Sequence, residues 1–178
     1  RLRDGDKVNI SDGKGRISYG NFINNYVEIK NSKMYQRQNS LKIFVPYLRE
    51  KSRFRFLIEK LTELNVNEIH IGMTKNTQNT NYSKQKIKEW LVSALEQSGS
   101  AYLPELFFSE NINFNDFSTC FDISGEPFDK NVKKLNNFAI GPEGGWTDEE
   151  LSKFQHKIKI SEFSLRTETA AITAVSLM

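Results

Sequence analysis

The sequence predicts an α/β protein: a mostly parallel sheet with helices on both faces, preceded by a small all-β segment. Three observations point there. After Leu41, short apolar strand-like runs alternate with amphipathic helical patterns, as βαβ units do. Before that point, short alternating runs are separated by glycine turns with no helical period. Near the C-terminus, "NFAIGPEGGWTDEE" (137–150) reads as a strand, a glycine-rich turn and a strongly signalled helix start.

Each element has a local signal. "KVNISDG" and "GRISYGNFI" alternate around Asp-Gly and Lys-Gly turns, and "YVEIK" comes next, which suggests a small barrel or sandwich. The polar run "NSKMYQRQNS" marks a boundary, giving a first unit over 1–40 and a second over 41–178. "LKIFVPYL" is an apolar strand. Ser52 is placed to cap a helix whose Phe54, Leu57, Ile58 and Leu61 share a face. "NEIHIGM" is the next strand. Ser83 caps a second helix carrying Ile87, Trp90, Leu91, Ala94 and Leu95, with Gly99 suited to its C-terminal cap. "LPELFF" and "TCFDIS" are further strands. The chain starts at Arg1 and stops at Met178 within a helical pattern, so both ends read as trimmed.

Composition bounds the function. Of 178 residues, 38% are hydrophobic and 26% charged, and no apolar run approaches the ~20 residues of a membrane span. One cysteine, Cys120, excludes an internal disulfide framework and fits a reducing cytosol. With it and two separated histidines, His70 and His156, no metal-ligand pattern or nucleophile–base triad is visible. His70, between two isoleucines, reads as a strand residue. Residues 1–40 hold eight Lys and Arg against four acids, a charge of +4, while the whole chain carries +3. A basic first segment on a near-neutral body fits either a nucleic-acid surface or a solvated lysine-rich face.

The glycine turn lies between the strand ending at Ile140 and a helix capped by Thr147. Glu150 completes a capping box, and Trp146 with Leu151 can form a hydrophobic staple. Ligands in open α/β sheets bind at such carboxyl strand ends. Yet "GPEGG" has no Lys-Ser/Thr pair and is no G-x-G-x-x-G turn, and Asp148 and Glu149 crowd the helix start. A neutral or cationic ligand met by backbone groups fits better than a phosphate; an ordinary capped turn is the structural alternative. Downstream, "SLRTETAAITAVSLM" (164–178) predicts a helix capped by Thr167, with a small apolar face of Ala171, Ala174, Val175 and Met178, suited to core packing or to a dimer contact. Arg166 and Glu168 flank that cap.

"IGPEGG" followed by "LRTETA" resembles the bacterial small-subunit (16S) ribosomal RNA methyltransferases that modify N3 of a uridine, members of the knotted SPOUT class. "RLRDGDKV" resembles their entry into a PUA-like barrel, and "FLIEKLTELNV" and "SALEQSGSAYLPEL" their first two long helices. The resemblance implies a PUA-like β-barrel followed by an α/β trefoil-knot domain, a cytoplasmic homodimer, S-adenosylmethionine as methyl donor with no metal, and ribosomal RNA or the small subunit as substrate. It implies a donor pocket formed by Ile140, Gly141, Pro142, Glu143, Gly144 and Gly145 on one side. On the other stand Ile160, Ser161, Leu165, Arg166, Thr167 and Thr169, with Ile123 and Ser124 as a third wall. Arg166 is the first candidate to stabilise the uracil anion; Glu143 and Glu168 are candidate proton acceptors or structural acids. Arg1, Arg3, Lys14 and Arg16 are expected on RNA phosphates.

The sequence departs from the family at Asn65 and Ser161, where glycine is usual. It departs again at Ser100 and in "TKNTQNTN", where basic residues are expected. A methyltransferase of the same fold acting on another RNA such as transfer RNA, a non-catalytic RNA-binding or assembly protein, and a plain nucleotide-binding α/β domain, disfavoured by the missing P-loop lysine, are the competing readings.

Overall fold

The computed structural model describes residues 1–37, 40–78, 80, 82–129 and 135–178. Two sheets organise them. Strands β1 (Lys7–Ser11), β2 (Arg16–Ile23) and β3 (Tyr26–Met34) form an antiparallel meander in the order β1-β2-β3. The described strands of this segment do not close into a barrel. Closure needs strand pairing all the way round, and β1 and β3 each pair only with β2. The expected barrel is therefore an open three-stranded sheet among the described residues, joined to the second unit by a β-bridge, Lys14 to Tyr102, and by side-chain bonds such as Tyr102 OH to Tyr35 O. Gly15 N–H donates to Ala101 O and Leu103 N–H to Gly13 O alongside it.

The second sheet has six parallel strands in the order β6-β5-β4-β8-β7-β9: β4 (Lys42–Pro46), β5 (Glu68–Met73), β6 (Glu105–Asn111), β7 (Thr119–Pro127), β8 (Asn137–Ile140) and β9 (His156–Lys159). The chain builds β4, β5 and β6 outward on one side. It then returns to insert β8 between β4 and β7. Helices α1 (Lys51–Glu63), α2 (Lys84–Ser98), α3 (Asp148–Leu151) and α4 (Thr167–Leu177) cover the sheet. The α/β expectation with a parallel sheet is met.

The main core joins Ile43, Val45, Ile69, Ile71 and Phe138 of the strands to Phe54, Leu57, Ile58 and Leu61 of α1 and Ile87, Trp90 and Leu91 of α2. The spacing predicted for both helices is the one that buries. One cap assignment of these two helices changes. Glu50, not Ser52, is the N-cap of α1, and it makes no side-chain cap bond, while the Ser52 hydroxyl donates back to Glu50. Ser83 does cap α2, accepting from Lys86 N–H, and Gly99 closes the helix in the left-handed conformation at φ 68°. The α4 face of Ala171, Ala174 and Val175 is buried in the chain's own core and packs towards α1, so it is not a free dimer face. Cys120 is buried, and desolvation, with Asp122 nearby, pushes its thiol up to about 12, which fits a packing residue.

A break in the β7–β9 ladder reshapes the carboxyl end of the sheet. Phe121 and Glu126 both pair with Ile158, so Asp122–Gly125 loop out of the strand. The loop returns tightly over β9: a Cβ on Gly125 would stand 2.5 Å from Ile158 N and 2.6 Å from Lys157 O. Gly125→Ala is expected to cost about 3 kcal/mol and to lower Tm by roughly 6–12 °C, which thermal melts would check. A change under ~1 °C would mean that the loop relaxes freely.

Candidate functional site

The carboxyl ends of β7, β8 and β9 open into one cleft of about 740 Å³, part of it open to solvent. The enclosed part of it is about 190 Å³. Each wall comes from a different interruption of the sheet. The β8 exit supplies Ile140 to Glu143, Gly145 and Trp146. The β7 bulge supplies Asp122 and Ile123. The β9–α4 connection supplies Ile160, Ser161, Phe163, Ser164 and Leu165, then Thr167 and Ala170 of α4.

The three glycines of "GPEGG" serve different ends. Gly145 adopts φ 70°, a conformation that disfavours a side chain, and faces the cleft. Gly141 lets the chain pass under Trp146, whose indole nitrogen would lie 2.9 Å from an added Cβ. Trp146 is itself anchored among Phe44, Phe117, Ala139 and Phe154. Gly144 faces away from the cleft, against Asn76, whose amide donates to the Gly144 and Gly145 carbonyls at 3.1 and 3.0 Å.

Behind the turn, Thr147 and Glu150 form the predicted capping box at the start of α3. The buried Glu150 carboxylate also accepts Lys75 N–H at 2.9 Å. The polar run after β5, in which basic residues were expected, thus braces the glycine turn from outside.

The helix α4 begins one residue earlier than its sequence signals: Arg166 is the N-cap and makes no side-chain cap bond. Thr167 is already helical and spends its hydroxyl on Gly141 O at 3.0 Å, tying the last helix to the glycine turn. A residue that sequence reasoning missed makes the second tie. Arg53, in the first turn of α1, donates Nε and Nη2 to the two Glu168 oxygens at 2.8 and 2.7 Å, and Nη1 to Glu143. Burial alone would raise Glu168, but the Arg53 hydrogen bonds and charge outweigh it and hold the carboxyl below its ordinary value. The same bonds, led by those to Glu168, raise Arg53 further above the guanidinium range. A carboxylate so held is a poor proton acceptor, so the placement favours a structural role for Glu168; Glu143 shares the same guanidinium. The signal that could have revealed Arg53 is its position: a cation in the first turn of a helix opposes the macrodipole and needs a partner elsewhere.

Of the expected pocket residues, Ile123, Ile140, Gly141, Pro142, Glu143, Gly145, Ile160, Ser161, Leu165 and Thr167 come together around the cleft. Gly144, Arg166 and Thr169 do not line it. Arg166 and Thr169 are exposed beside it. Ser124 lines a different cavity, though its N–H and hydroxyl donate to Asp122, which does line the cleft. Arg1, Arg3, Lys14 and Arg16 are all exposed but do not cluster. Arg1 and Arg3 lie beside the end of β2, where Gly5 N–H reaches Phe22 O, and Lys14 and Arg16 stand at its beginning. At ~3.3 Å per strand residue the two pairs are roughly 20 Å apart. Among the described residues no group of three His, Cys, Asp or Glu could hold a metal ion, and no helix is long and apolar enough to cross a membrane.

The family model described as RNA methyltransferase domain matches residues 36–178. The chain is similar to ribosomal RNA small subunit methyltransferase E 2 of Borreliella burgdorferi, 26% identical over 99% of this chain and 83% of that protein. It is also similar to ribosomal RNA small subunit methyltransferase E of Mesomycoplasma hyopneumoniae, 28% identical over 76% of this chain and 67% of that protein. Its fold matches the crystal structure of a ribosomal RNA small subunit methyltransferase E from Neisseria gonorrhoeae bound to S-adenosyl methionine. There the TM-score is 0.82 at 22% identity, over 99% of this chain and 83% of that one. With the family match running from just before β4 through α4, over the whole parallel sheet and every wall of the cleft, the chain belongs to the RNA methyltransferase domain family.

Proposed function

We propose that the protein transfers a methyl group from S-adenosylmethionine to N3 of a uridine in small-subunit ribosomal RNA. The observation that carries this reading is the cleft itself. It brings the "GPEGG" turn after β8 and the "LRT" turn after β9 together at the carboxyl end of the parallel sheet, with β7 between the two strands, and it offers carbonyls and carboxylates with no phosphate cradle. Relatives named for the small-subunit reaction support the substrate class. The lining suits a cationic sulfonium: Asp122 lines the cleft, Glu143 lines it while paired with Arg53, and Lys159, the one basic residue among its described lining, pairs with Glu162 at 3.1 Å.

The donor, when bound, supplies an electrophilic methyl group. This chain's residues do the rest. Backbone groups of Gly141, Pro142, Gly145, Ile160, Ser161 and Leu165 would hold the donor, with Ile123, Ile140 and Leu165 excluding water. Uridine N3–H is a weak acid whose proton would pass to solvent water at the open side of the cleft, and Arg166, exposed and making no side-chain cap bond, would stabilise the anion that is left. The target base must be unpaired or extruded to reach the cleft. The exposed cations of the N-terminal sheet would meet phosphates. The homodimer and the knot belong to this same proposal, as does a cytoplasmic location. Its dimer contact would lie on a surface other than the buried α4 face.

Calorimetric titration with S-adenosylmethionine, with ATP as control, tests the donor. Saturable binding of the donor alone, lost in Ser161→Trp, is expected; no binding by the intact protein sinks the enzyme reading. Mapping the modified base in methylated small subunits then tests the uridine.

A further inference from the structure

We propose that Arg53 is a positioning residue that locks two walls of the cleft together, so that the donor meets a preformed site; this rests on the donor reading above. Every guanidinium nitrogen of Arg53 is engaged. Two hold both oxygens of Glu168 in a fork, and the third holds Glu143. The two acids belong to different walls. Glu143 is part of the glycine turn and lines the cleft, and Glu168 follows Thr167 in the first turn of α4.

Two features separate this from an ordinary surface ion pair. The triad is shielded: the side chains of Arg53, Glu168 and Glu143 are 20%, 9% and 31% exposed. It also runs against local preference. The first turn of α1 has no acid, yet Lys51 and Arg53 stand at the positive end of its dipole. Arg55, two residues on, pairs within its own helix with Glu59. Arg53 instead reaches across to the two cleft walls. The Thr167 hydroxyl on Gly141 O joins the same two walls by a second route. With both ties in place, the turn and the helix start are held together before any ligand arrives, and binding need not bear the cost of ordering them. A lysine would keep the charge but cannot span three acceptors in a planar fork.

A purely structural tie would move Tm and leave donor affinity alone, well below Tm. Calorimetric titration with S-adenosylmethionine at such a temperature, on Arg53→Met, Arg53→Lys and Arg55→Met beside the wild type, separates the two. The clamp predicts at least a tenfold loss of affinity in Arg53→Met, a smaller loss in Arg53→Lys, and affinity within about twofold of wild type in Arg55→Met. In methyl-transfer assays, the KM for the donor should rise more than the KM for RNA. Folded Arg53→Met with wild-type affinity overturns the proposal. Should that variant not fold, wild-type affinity in Arg53→Lys overturns it equally. Absence of binding by the wild type overturns the donor reading and the clamp with it, whereas wild-type binding with unchanged Arg53 variants overturns the clamp alone.

Discussion

Arg166→Ala is expected to cut turnover by roughly 10²–10³-fold, the usual cost of removing one donor aimed at a developing anion. Donor affinity should stay within about threefold, because a group acting only on the developing charge leaves ground-state binding alone. The geometry supports this separation. Arg166 sits at the N-cap of α4 between Leu165 and Thr167, which line the cleft, but it does not line the cleft itself. Its charge helps to lower Glu168, after burial, which raises it, and the Arg53 bonds. Single-turnover assays on small-subunit RNA, with donor binding measured in parallel, would read both quantities. Full turnover in the alanine variant would remove Arg166 from the chemistry, and equal losses in turnover and affinity would make it a binding residue.

Phe138→Ala should be the most damaging core substitution near the site, at about 3–5 kcal/mol, a fall in Tm of roughly 6–20 °C for a chain of this size. Phe138 is fully buried in β8 and meets Phe121 of β7 edge-on, with ring centroids 5.0 Å apart. Both strands end at the cleft, β8 in the glycine turn and β7 in the bulge. The cavity would therefore loosen two walls as well as the core, and donor affinity should fall with stability. Urea denaturation with an unchanged slope would confirm that stability alone has moved. A loss under ~1 kcal/mol would show that the core closes over the gap and that β8 is not held by this contact.

Much of this was legible along the chain because it is local. The strand–helix alternation, the faces of α1 and α2, the Ser83 and Gly99 caps and the Thr147–Glu150 box each depend on residues within a few positions of one another. Seven of the cofactor positions named from the two short motifs, with Ile123, Ile160 and Ser161 from outside them, come together around one cleft. The errors also have local causes. Ser52 and Thr167 are good capping residues, and both fall one or two positions inside their helices, where Thr167 has a distant acceptor instead. Turn-separated strands signal antiparallel pairing but not closure, and the first unit remains an open sheet.

The sequence by itself determined the fold class, the helix faces and the two turns that bound the cleft, since periodicity and turn chemistry act over a few residues. Only the tertiary structure decided what those turns face. Arg53 meets Glu168 across 115 positions and Glu143 across 90, and Lys75 reaches Glu150 across 75. No local pattern encodes such pairings. They arise when β8 inserts between β4 and β7 and brings remote segments to one end of the sheet, where burial makes unpaired charge costly and so selects the partner.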